Sequence, residues 1–329
     1  MALDPQLRSP KEQPLFVVGV VLSAIFWLLV VVSIVGLLYA LLIGLGVVFA
    51  HALFLAHVRG NGVRLSERQH PELYARIRAA SAKLGLPRTP EVYLLQGGGL
   101  LNAFATKLFS RWFVILLSDL VDHCADPRQL DFVIGHELTH HAAGHLAWNA
   151  FLAPYQLVPL LGPAYSRARE YTCDRGGAAV AADTEQAMRG LVVLAAGGKI
   201  AATTDLRVFM EQAAEAGSFW MAVLELGATH PYLCKRVAAL QEWVAPGTSR
   251  AARRNVLAYP LAPFLGIAGG SSASTVVVIV AVLAAIAIPN FVKYQERARA
   301  LAGQQQVGQG ETGDDAPRRA PKAGAGRRR

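Results

Sequence analysis

Charged side chains are scarce in this chain of 329 residues: they make up 17% of it, while hydrophobic residues make up 53%. This balance is typical of membrane proteins and excludes an ordinary soluble domain as a description of the whole chain. Cysteine is scarce too. The three cysteines, at positions 124, 173 and 234, are an odd number at wide spacings. They predict neither a disulfide framework nor a zinc finger, and they favour a reducing compartment.

The net charge of +9 comes largely from one end of the chain. Residues 293–329 hold nine Lys or Arg and four Asp or Glu, which gives +5 for this tail alone. The rest of the chain is closer to balance, and it has no basic stripe with interleaved aromatic residues. We therefore predict no nucleic-acid partner.

No Asp, Glu, Lys or Arg occurs in residues 15–58. Because one spanning helix needs about 20 apolar residues, this run predicts a transmembrane hairpin that turns near residues 33–36 and follows a short tail, 1–14. A cleaved signal peptide is disfavoured because the apolar run is too long and contains no cleavage site followed by polar sequence. The residues just after the second span are basic: Arg59, Arg64 and Arg68. By the positive-inside tendency they put the next domain in the cytoplasm.

Residues 59–255 have the mixed pattern of a folded domain. Apolar periodicity predicts a helix at 71–84, and short runs rich in aromatic and branched residues predict strands at 91–95, 103–107 and 112–117. The rest is helical, with predicted helices beginning at Asp126-Pro127, covering 165–180, and beginning at Asp183 and Ser218. Asp126 can cap a helix and Pro127 can fix its first residue. The domain is therefore predicted to be α+β, mainly helical with a small sheet.

After an apolar linker, residues 256–272, the run 273–292 is long enough to cross a bilayer once. Residues 281–299 resemble the second half of the hydrophobic helix of bacterial type IV pilins, but the pilin processing junction is missing upstream. We interpret the run as a membrane anchor rather than as part of a pilus subunit. The basic tail, 293–329, is predicted to be disordered. Three spans put this tail outside, whereas its first basic residues favour the inside, and a re-entrant segment at 256–268 would reconcile the two.

The run His136-Glu137-Leu138-Thr139-His140 is an H-E-x-x-H pattern. On a helix, the four-residue spacing brings both imidazoles to one face, where they can hold one zinc ion. Glu137 is not spaced to be a ligand, so it is the candidate general base that takes a proton from a water molecule beside the metal. The alternative is a helix that carries two ordinary histidines.

A catalytic zinc site needs a third protein ligand. His145 does not fit the metzincin signature, which requires Gly at 143 and His at 146, where this chain has Ala and Leu. Glu170 is the better candidate because it lies on a second predicted helix nearby in the sequence. Asp174, one turn further on, can accept a hydrogen bond from the free ring N–H of a ligand histidine. The alternative for Glu170 is a solvent-exposed helix surface with arginine partners.

The two runs H-E-L-T-H-H-A-A-G-H and S-R-A-R-E-Y-T-C-D resemble the integral-membrane zinc metallopeptidases that include bacterial HtpX and the CAAX prenyl proteases, which are gluzincins. The resemblance covers residues 71–243. It implies a gluzincin-type domain in a bacterial inner membrane, with one catalytic Zn²⁺ held by His136, His140 and Glu170. Asp174 would then support one of the histidines.

The resemblance also implies roles for residues outside these helices. Asn102 and Ala103 begin a run that matches the family's edge-strand motif, so their backbone would pair with an extended substrate. His230 and Arg236 match a later His-Pro and Arg signature near the active site, with a transition-state role for His230. HtpX-type enzymes have additional spans between the His helix and the third ligand. Here the segment 145–164 contains three prolines and is expected to lie against the bilayer or over the site.

We therefore predict a membrane-anchored zinc metalloendopeptidase whose partners are an extended polypeptide substrate and the lipid bilayer, with membrane protein quality control as the expected setting. Prenylated substrates are not implied, because prenyl proteases have many more helices. The rival interpretation is a non-catalytic zinc-binding membrane scaffold linked to pilus or secretion machinery. Glu137 argues against it, since a scaffold needs no general base.

Overall fold

The fold begins with two long apolar helices, α1 (Glu12–Val32) and α2 (Ile34–Asn61). The computed structural model describes residues 3–249 and 253–265, and Gln295 alone beyond them. Only Ser33 separates the two helices, and its hydroxyl accepts a hydrogen bond from the N–H of Gly36. Both helices are long and apolar enough to cross a membrane, and only 11% and 0% of their most apolar windows are buried. Their junction lies at the start of the predicted turn.

A four-stranded sheet follows, with strand order β1-β2-β4-β3. The strands are β1 (Val63–Arg64), β2 (Glu91–Leu95), β3 (Ala103–Leu108) and β4 (Arg111–Leu117). β4 pairs in parallel with β2 and antiparallel with β3, so β3 lies at one edge. The three predicted strands are confirmed to within one residue at each end, and β1 was not predicted.

The remaining elements are helices, so the predicted α+β class with a small sheet is confirmed. They are α3 (Pro71–Lys83), α4 (Ser118–His123), α5 (Pro127–Ala142), α6 (His145–Trp148), α7 (Ala153–Gln156), α8 (Leu161–Ala181), α9 (Thr184–Ala196), α10 (Gly198–Thr203), α11 (Leu206–Glu215), α12 (Phe219–Gly227), α13 (Leu233–Val244) and α14 (Ala258–Leu265), with a 3₁₀ turn at Pro5–Leu7. The predicted helix at 165–180 begins earlier, at Leu161.

The sheet is covered on both faces. Successive residues of β4 alternate between them: Val114 and Leu116 join the main core with α3, α5, α9 and α13, whereas Phe113 and Ile115 pack in a second cluster that contains Leu55 of α2. Burial on both faces explains why residues 112–117 are a continuous apolar run rather than an alternating one.

The close packing of α5 against α8 builds the centre of the domain. A Cβ atom at Gly176 would lie 1.9 Å from Oγ1 of Thr139, and one at Gly135 would lie 2.7 Å from Cβ of Val180. These glycines let the two backbones approach each other closely. Asp126 fixes the start of α5 by accepting a hydrogen bond from the N–H of Arg128, as the sequence predicts for a helix cap.

The proline-containing segment 145–164 lies along α1. The ring of Trp148 packs edge-on against Phe16, and Nε1 of Trp27 donates a hydrogen bond to the carbonyl of Phe151. In the predicted linker 256–272, α14 packs on α12. The predicted span 273–292 and the predicted tail 293–329 lie outside the described residues, apart from Gln295.

Candidate metal centre

The two histidines of α5 and a glutamate of α8 meet at the buried interface between these helices. Oε2 of Glu170 lies 3.4 Å from Nε2 of His136, and Oε1 lies 3.7 Å from Nε2 of His140. The Glu170 carboxylate is buried, so the alternative of a solvent-exposed helix surface does not apply. The packing of α5 against α8 therefore brings together His136, His140 and Glu170, the three residues predicted to be ligands.

Asp174 and Arg236 hold the ring of His136. Nδ1 of His136 lies 3.0 Å from Oδ1 of Asp174, and the Arg236 guanidinium donates two hydrogen bonds to the same carboxylate, at 2.6 and 2.9 Å. Although burial opposes charge on the ring, the neighbouring carboxylates of Asp174 and Glu170 raise the pKa of His136 to about 10 without a metal. Metal binding would displace this proton from Nε2 and leave Nδ1–H facing Asp174.

His140 is held by residues that the sequence analysis did not assign to the site. Its Nδ1 lies 3.1 Å from Nδ1 of His145, and Nε2 of His145 lies 3.2 Å from Oε1 of Glu12 in α1. The hydroxyl of Thr172 donates a hydrogen bond to the other oxygen of Glu12. His145, rejected as a ligand because of its register, is therefore a neighbour of the ligand His140.

The donor set fits a zinc ion. Oε2 of Glu170 is buried and has no hydrogen bond of good geometry within the part of the chain that the structure describes. Its polar neighbours are Nε2 of His136 and Nη1 of Arg236, each 3.4 Å away. Because both distances are long for hydrogen bonds, a metal ion would satisfy this buried carboxylate oxygen better than these neighbours do. Two imidazoles and one glutamate are also the ligands of many catalytic zinc sites.

Cys173 is a second candidate for the third ligand, because atoms of His136, His140 and Cys173 lie within 4.8 Å of one another. Its sulfur lies 3.7 Å from Nδ1 of His145, the residue that contacts Nδ1 of His140. Burial raises the pKa of the Cys173 thiol well above its ordinary value, which disfavours the thiolate that zinc requires. Glu170 is the better placed of the two, because it faces the Nε2 atoms of both histidines.

Glu137 lies beside this cluster and is only 7% exposed. Burial raises the pKa of its carboxyl to about 7, although the nearby His136 and the backbone of Ala105 oppose the shift. A carboxyl group with a pKa near neutrality can both take and return a proton, which is the requirement for a general base that later acts as an acid.

Two residues named through the family resemblance lie at different depths. Arg236 is buried against Asp174, whereas His230 is 65% exposed, with its Nε2 3.5 Å from Oε1 of Glu170. The hydroxyl of Thr229 lies 3.0 Å from Nδ1 of His230. His230 therefore stands at the open side of the cluster, where it can reach a bound molecule.

The edge strand β3 comes close to the cluster at Ala105. The backbone of this residue lowers the pKa of Glu137. Asn102 is exposed and its side-chain oxygen accepts a hydrogen bond from the N–H of Ala103, while Ala103 is buried in the main core. The carbonyl of Asn102 accepts a hydrogen bond from the N–H of Leu117. By the alternation of an antiparallel pair, the backbone groups of Ala103, Ala105 and Lys107 point to the free edge.

His141 follows His140 on α5, and its ring contacts β4. It is buried, stacks on Trp112 and donates a hydrogen bond from Nε2 to the carbonyl of Phe113, 3.1 Å away. Burial lowers the pKa of His141 to about 4, so its ring is neutral and joins α5 to β4.

Comparison with known proteins gives two kinds of match. The sequence profile of peptidase family M48 matches residues 67–161 and 148–244, which together are more than half of the chain. The protease HtpX homolog of Polynucleobacter necessarius subsp. necessarius is 30% identical over 190 residues, 46% of this chain and 65% of that protein. The protease HtpX homolog of Thermodesulfovibrio yellowstonii is 34% identical over 110 residues, 32% of this chain and 38% of that protein. The matches thus span less than two thirds of each relative, and no solved structure matches the chain.

Proposed function

Since the chain belongs to peptidase family M48, we propose that it is a membrane-anchored, zinc-dependent metalloendopeptidase that hydrolyses extended polypeptides. The observation that carries this proposal is the buried carboxylate of Glu170, whose Oε2 lies 3.4 Å from Nε2 of His136 and whose Oε1 lies 3.7 Å from Nε2 of His140. A buried carboxylate that faces two imidazoles fits a metal ligand, and the nearby Glu137 supplies the general base that a hydrolase needs.

The chemistry supplied by a bound zinc ion would be polarisation of the scissile carbonyl and acidification of a neighbouring water molecule. Glu137 takes the proton of the attacking water and passes it to the leaving amine. His230, at the open side of the cluster, can donate a hydrogen bond to the oxygen of the carbonyl under attack. The free edge of β3 would align the substrate as an added strand beside Glu137.

The proposed setting is a bacterial inner membrane, with the catalytic domain on the cytoplasmic side and damaged membrane proteins as substrates. The two apolar helices support the anchor, and Arg59, Arg64 and Arg68 after α2 support the orientation. The names of the two relatives support a protease, and the substrate class rests on the open edge of β3.

The substitution Glu137→Gln tests the proposal. The variant should keep its zinc, measured by inductively coupled plasma mass spectrometry, because Glu137 is not a ligand. Cleavage of an unfolded membrane-protein substrate should fall by at least about 100-fold, since proton transfer by a positioned side chain contributes at least that factor. Glu185→Gln, an equal change at an exposed position on α9, is the control. Zinc binding without cleavage by the wild-type protein would instead support a scaffold, and undiminished cleavage by Glu137→Gln would exclude Glu137 as the base.

A further inference from the structure

A cavity of about 540 Å³ lies between the start of α1, α8 and α13. Its walls include Asp174 and Arg236 but none of His136, Glu137, His140 or Glu170, so it is not the space in which a substrate would meet the candidate metal centre. Its volume is within the range of small-molecule sites in proteins.

The cavity is rich in positive charge. Six basic residues line it against two acidic ones, Asp174 and Glu242; the basic residues are Lys11, Arg167, Arg175, Lys235, Arg236 and Arg254. Three of the six have carboxylate partners: Lys235 and Arg254 pair with Glu225, and Arg236 pairs with Asp174. Within the described ranges, no salt bridge joins Lys11, Arg167 or Arg175 to a carboxylate.

Among these basic residues, Arg167 and Arg175 indicate most clearly that the cavity binds an anion. The side chain of Arg167 is 4% exposed, and its Nη1 donates hydrogen bonds only to backbone carbonyls, including those of Glu225 and Ala228, both at 2.6 Å. Burial lowers the pKa of Arg167 to about 10. Arg175 similarly donates to a backbone carbonyl, that of Arg8. A buried guanidinium without a counter-ion is costly, and an anion in the cavity would offset that cost.

Part of the cavity lining is apolar, and it includes a residue near the start of the first apolar helix. Leu15 of α1, Leu240 and Trp243 of α13 and alanines of α8 line this part. The guanidinium of Arg175 lies over the ring of Trp243, 5.7 Å from its centroid, at the boundary between the charged and apolar parts. A ligand that fits both parts has an anionic head and an apolar chain, and the adjacent α1 supplies a route from the bilayer.

We propose that this cavity binds the headgroup phosphate of an anionic membrane phospholipid, with Lys11, Arg167 and Arg175 around the phosphate and the first part of an acyl chain against Leu15 and Trp243. Charge-assisted hydrogen bonds to phosphate are among the strongest that a protein makes, which is why the anion and not the chain would decide the selectivity. The site is independent of the proposed proteolytic function, because none of its phosphate-binding residues is a metal ligand or the general base.

The test uses the full-length protein purified in an uncharged detergent, with bound lipid counted by native mass spectrometry. Phosphatidylglycerol should bind at least about tenfold more tightly than phosphatidylcholine with the same acyl chains. Both lipids carry the phosphate, but the choline cation of the second would lie close to Lys11, Arg167 and Arg175, and like charges in contact are costly. The double variant Lys11→Gln/Arg175→Gln should lose this preference, and Arg175→Lys should keep most of it. The matched control, Lys199→Gln/Arg207→Gln, removes one lysine and one arginine from exposed positions that do not line the cavity, and should bind like the wild type.

Thermal unfolding of each variant shows whether it is folded, and the measurement is repeated on zinc-free protein so that loss of the metal cannot mimic loss of lipid. Equal binding of the two lipids, or an equal loss in the control variant, would overturn the proposal. Displacement of phosphatidylglycerol by an equal concentration of inorganic phosphate would also overturn it, because the cavity would then be a site for free phosphate.

Discussion

The two histidines of the candidate metal centre are both held through Nδ1, one by a charged ion pair and the other by an imidazole. Asp174 and Arg236 form a buried ion pair behind His136, whereas His140 faces a second imidazole, that of His145. Because both Nδ1 atoms are engaged, both Nε2 atoms are left to face Glu170. The orientation of the rings is therefore decided before a metal binds, which lowers the entropic cost of binding.

This arrangement predicts which of two buried residues on α8 is the third ligand. Glu170→Gln should weaken zinc binding by more than about 100-fold, because loss of a direct ligand should exceed the 10–100-fold loss typical of outer partners. Cys173→Ala is the matched change one helical turn away and should leave zinc affinity nearly unchanged. The dissociation constants are measured by competition with a chelator, and the reverse order of effects would make Cys173 the ligand.

Much of the centre could be predicted from the sequence, because helical spacing alone places His136 beside His140 and Asp174 one turn after Glu170. His230 and Arg236 needed a family resemblance, since about 60 residues separate Glu170 from His230. The contact of His145 with Glu12 joins residues 133 positions apart in the chain. No local pattern predicts such a pair, because tertiary folding alone brings them together.

At the scale of the single element, β3 is an edge strand beside Glu137, the proposed general base, and within the described residues one of its edges has no neighbouring strand. The backbone N–H of Lys107 points to that edge, so its loss would not break the ladder with β4. An edge strand also tolerates proline, whose ring suits extended backbone.

Lys107→Pro should therefore lower kcat/KM for an extended polypeptide by about fivefold, since one backbone hydrogen bond to substrate contributes ~1 kcal/mol. Lys107→Ala removes the same side chain but keeps the N–H, so it should retain most of the wild-type activity. Initial rates of cleavage at low substrate concentration measure the effect. Identical rates for the two variants would mean that the substrate does not pair at this position.

The elements themselves differ in how well the sequence predicts them. Sequence patterns several residues long predict the strands at 91–95, 103–107 and 112–117. A capping residue followed by proline predicts the start of α5. The two-residue β1 and the four-residue α6 and α7 do not, because periodicity needs several residues to appear. They form through contacts with neighbours, as when Arg64 of β1 pairs with Tyr93 of β2.

At the scale of the whole molecule, the N-terminal segment packs into the folded domain as well as leading into the two apolar helices. Leu3 is buried in the main core, and the N–H of Ser9 donates a hydrogen bond to the hydroxyl of Thr172, 2.9 Å away. Glu12, the first residue of α1, reaches His145. The apolar helix α1 thus contributes a side chain to the support of the candidate metal centre.

Glu12→Gln should consequently weaken zinc binding by about tenfold, the lower end of the range for residues that support a ligand. The full-length protein is titrated against a chelator, with Glu185→Gln as the control for loss of one carboxylate. An unchanged zinc affinity in the Glu12 variant would show that α1 supports only the fold.

The one-residue junction at Ser33 bears on how the chain enters a membrane. Because no charged side chain occurs between Leu15 and Val58, insertion of α1 and α2 as a pair would move no charge and no soluble loop through the hydrocarbon. The backbone polar groups are already satisfied within the two helices before entry. The two helices would then move from water into the bilayer in one step, and the folded domain would remain on the side where it was synthesised.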